Sequence, residues 1–81
     1  MNLNLKNGWL ESDREVFIVE ELSSENEVIS IIRADYLPKF DTYQYYKIGG
    51  EETSGEILKE VKKRLDETRE KIKDSGKLIE I

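Results

Sequence analysis

The sequence contains no cysteine and no histidine. The first absence removes any disulfide framework and any thiolate nucleophile, and the second removes the commonest general base. Together they exclude the usual zinc ligand sets. Carboxylates are what is left to hold a metal, but the Asp-x-Asp-x-Asp-Gly spacing of a calcium loop does not occur. So small a domain without disulfides is expected in a reducing compartment, and the chain reads as cytoplasmic. No apolar run approaches the roughly 18 residues that a membrane span requires, and Met1 opens a polar stretch rather than a signal peptide. No membrane partner is expected. Proline occurs once, at Pro38, and alanine once, at Ala34, while lysine outnumbers arginine, a bias that suits an AT-rich genome.

What is present is charge. The 81 residues carry a formal net charge of −5, most of it in the first half, where Glu11, Asp13, Glu15, Glu20, Glu21, Glu25, Glu27 and Asp35 outweigh four cations. That balance opposes long-range attraction to phosphate backbones and favours basic partners. A chain of this length forms one domain with one thin core, since folding removes only roughly 60 to 65% of its surface from water.

The segment from Thr53 to Gly76 specifies a helix most clearly. Leu58, Val61, Leu65 and Ile72, with Ile57 beside the first, recur at helical spacing. Thr53 followed by Glu56 reads as a capping box, and Gly76 as a left-handed stop, so the helix is expected over residues 54–75. Glu60 with Arg64 and Glu67 with Lys71 are i,i+4 pairs in the favourable order. With Thr68 included, the stripe follows the 3-4-3-4 spacing of a helix seam. It either covers a sheet or joins a second copy of the chain.

Strands precede the helix. Leu3 and Leu5 alternate with polar residues before Asn7-Gly8 and Trp9-Leu10, a pattern that fits a short hairpin or one strand with a bulge equally well. Val16-Phe17-Ile18-Val19 marks a strand over residues 14–22. Ser23 to Asn26 is turn chemistry, and the next strand sets Val28, Ser30, Ile32 and Ala34 against Ile29, Ile31, Arg33 and Asp35. Pro38 forces a bend, Thr42 to Ile48 resumes the pairing, and Gly49-Gly50 ends it. Residues 77–81 form a last short strand or a trailing tail. The expected core is Leu3, Leu5, Trp9, Val16, Ile18, Val28, Ile32, Ile57, Leu58, Val61, Leu65 and Ile72. Strands of six or seven residues are shorter than a helix of about 22, so its C-terminal end is expected to overhang.

The fold class is therefore α+β: an antiparallel meander of three or four strands over residues 1–50, packed on one C-terminal amphipathic helix. Five aromatic residues near Pro38 stand out, namely Tyr36, Phe40, Tyr43, Tyr45 and Tyr46. Alternation places Tyr43 and Tyr45 on one face and Tyr46 with Ile48 on the other, so some rings are expected on the face that a single helix leaves open. With Glu20, Glu21, Glu25 and Glu27 they make the candidate partner-binding set, although strand carboxylates also serve simply to prevent edge pairing. No catalytic, cofactor-binding or metal-binding residue is expected. Gly49-Gly50 and Gly55 lack the Gly-Lys-Ser/Thr of a phosphate loop.

The function this favours is that of a small acidic, non-catalytic protein-binding module, such as an accessory or inhibitory protein of a phage or mobile element, that occludes a basic surface of its partner. The alternative is a self-assembling homo-oligomer. Single-stranded nucleic-acid binding through the tyrosine strand is weaker, because the rings sit in an acidic surround, and the basic residues of the helix are diluted by acidic ones.

Overall fold

In the computed structural model, which describes residues 2–75 and 79–80 and the side chains of residues 2–71, the chain runs β1 (Asn2–Glu11), β2 (Arg14–Leu22), β3 (Val28–Leu37), β4 (Thr42–Gly50), α1 (Gly55–Ser75) and β5 (Ile79–Glu80). The first four strands form an antiparallel meander. The sheet order is β4-β3-β2-β1-β5, with β5 parallel to β1 through Trp9 and Leu10. Thus Ile79 and Glu80 join the sheet, whereas Lys77, Leu78 and Ile81 lie outside the described residues, as do Met1 and the Gly76 stop.

Local chemistry sets each connection. Ser12 and Asp13 both have positive φ, 50° and 65°, the backbone of a tight two-residue hairpin turn whose twist matches the flanking strands. Asn7-Gly8 makes no turn. β1 passes straight through it, with a register shift at Lys6 that marks a bulge. Between β2 and β3, the Ser23 hydroxyl accepts hydrogen bonds from the Glu25 and Glu27 amides, and Asn26 takes the left-handed position. Pro38 lies in the β3–β4 turn, where its missing N–H costs the ladder nothing.

The helix start differs from the expected capping box by one residue. Ser54 is the cap: its hydroxyl accepts from the Ile57 amide at 3.3 Å and its carbonyl from the Leu58 amide. Thr53 instead turns to the sheet and donates to the Ser30 hydroxyl at 3.4 Å. The chain reaches this point through Gly50, at φ 77°, where an added Cβ would sit 2.1 Å from the Ile29 carbonyl oxygen. Gly50→Ala is expected to lower the unfolding free energy by about 1 to 3 kcal/mol, read from a shift in the urea midpoint, because backbone rather than a movable side chain blocks the Cβ.

The core lies between the sheet and the helix. Leu3, Phe17, Val19, Ile32, Ala34, Tyr43, Val61 and Leu65 are buried there, with Leu5, Tyr36, Tyr45, Ile57 and Leu58 packed around them. The seam of the helix is consumed in this contact, since Val61 and Leu65 are fully buried against the sheet. Three core expectations need correcting. Val16 is fully buried, as expected, but on the face of β2 away from the helix, and Ile18 on that same face is only half-buried, because Phe17 and Val19 are the residues that meet the helix. Trp9 pairs with Val16 in register and shares that far face. Val28, at the first position of β3, is 49% exposed. The side chain of Ile72 lies outside the described residues.

The expected overhang is not seen as far as Arg69. β1 to β4 are nine or ten residues each, so they extend about 30 Å, close to the roughly 31 Å of a 21-residue helix. Arg69, deep in the last third of α1, still meets Glu15 of β2 at 2.8 Å.

Candidate functional site

The two faces of the sheet divide the aromatic residues. On the helix side, Tyr43 is 5% exposed, packs edge-to-face on Phe17 with centroids 6.4 Å apart, and donates its hydroxyl to Asp66 at 2.8 Å. Tyr36 lies beside it beneath the Arg69 guanidinium, whose carbon is 3.4 Å from the ring centroid, and its hydroxyl donates to Asp41 at 2.8 Å. Tyr45 is half-buried on the same side. Alternation thus pairs Tyr43 with Tyr45, but on the covered face, and Tyr43 is too enclosed to meet a partner.

Charges on this side stitch helix to sheet. Arg69 donates from Nε to Glu15 at 2.9 Å, with Nη2 2.8 Å from the same carboxylate oxygen, and Lys62 meets Asp66 at 2.7 Å. Burial, with a smaller contribution from the Asp66 hydrogen bond, pushes the Tyr43 phenol well above its ordinary range. Desolvation pushes the Asp66 carboxyl upward, but the hydrogen bonds from Lys62 and Tyr43 outweigh it and hold the group below its usual value. A carboxyl lowered by folding contributes stability above its unfolded pKa and loses it as pH falls through the folded one. Asp66→Asn is therefore expected to flatten the acid limb of the stability curve, beginning near pH 4 and below, while changing its slope little above pH 6, as followed by urea unfolding across pH.

The other face has no helix. β1 to β3 bring Trp9, Val16, Ile18, Ile31, Arg33 and Asp35 onto it, and β4 adds Tyr46 and Ile48. Asp35 is 2% exposed there. Arg33 Nε donates to its Oδ1 at 2.7 Å, Arg14 Nη1 to its Oδ2 at 3.3 Å, and Arg33 also lies 3.6 Å from Glu11, which accepts from the Trp9 indole at 3.1 Å. Hydrogen bonding to Asp35 raises the already high pKa of Arg33 against the opposing effect of desolvation, so the guanidinium stays charged. Val16, in register between Trp9 and Asp35, is fully buried although no helix lies over it. Beside the cluster is a shallow hollow of about 380 Å³ lined by Arg14, Arg33, Asp35, Tyr46 and Ile48, with Tyr46 40% and Ile48 55% exposed.

The strand register also sorts the acidic residues. Asn2 pairs with Leu22, Ser30 with Gly50, and the Glu51 amide donates to the Ile29 carbonyl, so the β2–β3 turn and the β4–α1 connection lie at one end of the sheet. Glu20, Glu21, Glu25, Glu27, Glu51 and Glu52 collect there. They do not share a face: Glu20 is on the open side, accepting from Asn4, whereas Glu21 is on the helix side, accepting from the Ser30 hydroxyl. Glu25 and Glu27 are exposed in the turn. Phe40, 75% exposed, belongs to the opposite end, at a hollow of about 290 Å³ between the β1–β2 and β3–β4 turns.

Of the nine residues that the sequence singles out, the open face therefore holds Tyr46 and Glu20, with Glu25 and Glu27 at its acidic end. Tyr36, Tyr43, Tyr45 and Glu21 belong to the helix side. The sequence reading passed over Ile48 and the Arg14–Asp35–Arg33 cluster as site residues. Charges two apart within an otherwise apolar strand, Arg33 and Asp35, were the available signal, because such residues on one face can pair with each other.

Fold and surface define an α+β domain whose antiparallel meander has one helix-covered and one open face. No protein-family model, curated protein or solved structure matches the chain. Among the described residues, no group of three or more acidic side chains is placed to hold a metal ion, and no helix is long and apolar enough to cross a membrane.

Proposed function

We propose that the protein is a non-catalytic protein-binding module that docks through the open face of its sheet. The observation that supports this reading is the pairing of exposed apolar side chains, Tyr46 and Ile48, with a sheet end rich in carboxylates. The apolar residues would anchor and the carboxylates would orient a partner with a basic surface, raising its association rate. Tyr46, rather than the tyrosine group as a whole, would provide the aromatic contact. Action would be by occlusion of the partner surface.

The experiment compares capture of partners from a lysate of the source cell by the wild-type chain, by Ile48→Lys and by the Glu25→Lys/Glu27→Lys double variant, with molecular mass measured alongside. Ile48→Lys is expected to abolish capture of a stoichiometric partner without changing the unfolding midpoint by more than a small amount, because the side chain is 55% exposed. The double variant should weaken capture mainly at low salt. Equal capture by all three would sink the reading, and a concentration-dependent mass with no partner would shift it to self-assembly.

A further inference from the structure

β4 forms one margin of the sheet, paired to β3 alone among the described residues. The other margin is handled differently: β1 is met by β5 at Trp9 and Leu10. β4 has no proline and one charge, Lys47, and its bulge, at Ile48, lies toward the Gly49-Gly50 end, so the outer backbone groups of the Thr42 to Lys47 stretch form an unbroken row of donors and acceptors. An edge of that kind is a template for an added strand.

A groove of about 240 Å³ runs between this edge and the first half of α1, lined by Thr42, Tyr45, Gly55, Leu58, Lys59 and Lys62. A second hollow of about 120 Å³ adjoins it and shares Tyr45 and Leu58. A Cβ at Gly55 would meet nothing within 4 Å, so the mouth is open on the helix side. Tyr45 lines both hollows, and its buried hydroxyl finds no hydrogen-bond partner among the described residues. Such a group costs stability unless an acceptor arrives. Burial pushes its pKa up to about 12, so it stays a donor.

We propose that this groove takes an acidic, extended segment of a partner protein, which adds as a strand to β4 and offers an oxygen acceptor to the Tyr45 hydroxyl. Charge selects the occupant. Lys59 is exposed at the rim, and Lys62 stands beside it with Asp66. A second copy of the chain, paired antiparallel along β4 by a two-fold axis normal to the sheet, would bring the two helices onto one face with the lysines of one groove toward those of the other. An acidic segment meets them favourably. Glu51 and Glu52 repel carboxylates at the far end of β4, so the acidic positions of the segment lie against the Thr42 to Tyr45 half.

The test pans a displayed library of random nine-residue peptides on the full chain and maps a selected synthetic peptide by backbone amide shifts. Selected peptides should be rich in Asp and Glu and in β-branched residues, and should perturb β4 and the first turns of α1. Lys59→Glu should weaken the peptide by about tenfold at low salt. Tyr45→Phe should weaken it by about fivefold while the free chain unfolds at an equal or higher midpoint, because the variant removes a buried hydroxyl that has no partner among the described residues. Ile48→Lys, on the open face, should leave peptide affinity unchanged, which separates this groove from the surface proposed above. No enrichment, selection of basic peptides, shifts confined to the open face, or wild-type affinity in both Lys59→Glu and Tyr45→Phe would each overturn the proposal.

Discussion

Phe17→Ala is expected to lower the unfolding free energy by about 3 to 5 kcal/mol, and Ile18→Ala by only about 1 to 2 kcal/mol, as read from urea denaturation of each variant. The two residues are neighbours of similar hydrophobicity in one strand, so composition and propensity do not separate them. Position does. Phe17 is fully buried, touches the Tyr43 ring and faces Gly8 of β1, where a Cβ would approach its ring to 3.0 Å. Truncating it opens a cavity between two rigid layers, whereas Ile18 is half-buried on the uncovered face and water can follow a retreating side chain. Equal losses would mean that the helix does not cover the Phe17 face.

Asp35→Ala is the second large effect, expected to cost about 2 to 3 kcal/mol. The carboxylate is almost wholly buried and holds two guanidiniums; without it, two cations are left beside each other with Glu11 as their nearest anion. Loss of a buried partner commonly costs more than this. Here Arg33 and Arg14 retain 29% and 56% side-chain exposure, so both can rehydrate, and the expectation is reduced accordingly. The check is a double-mutant cycle with Arg33→Met, which should give a coupling energy of about 1 kcal/mol or more. A coupling near zero would mean that Arg33 is not what keeps Asp35 in place. The cycle bears on function too, because the cluster forms the floor beside Tyr46 and Ile48.

Much of the architecture was legible in the residues. The helix is identified by apolar spacing that only a 3.6-residue period explains, and the β2 limits by a β-branched run bounded by charge. Where the reading missed, the sequence was degenerate. Val16-Phe17-Ile18-Val19 is apolar at every position, so alternation exists but its phase is undefined, and a shift of one residue moves each side chain to the other face. Similarly, Thr53 and Ser54 are both competent caps; Thr53 is drawn off by Ser30, a residue 23 positions away. Tyrosine clustering was visible, but whether a ring stands under the helix or in water depends on which face of the sheet the helix crosses.

The sequence by itself determined the class of fold, the helix with its apolar stripe, the turns at Ser23 to Asn26 and at Pro38 and the acidic balance, because each follows from periodicity, backbone preference or composition within a short window. Only the tertiary structure decided which face of the sheet the helix covers, and with it the burial of Phe17 and Tyr43, the exposure of Tyr46 and Ile48, and the meeting of Arg14, Arg33 and Asp35. Those depend on register between strands and on the course of the helix from β4 to its contact with β2 at Glu15. Both are fixed by the summed packing of residues far apart in the chain.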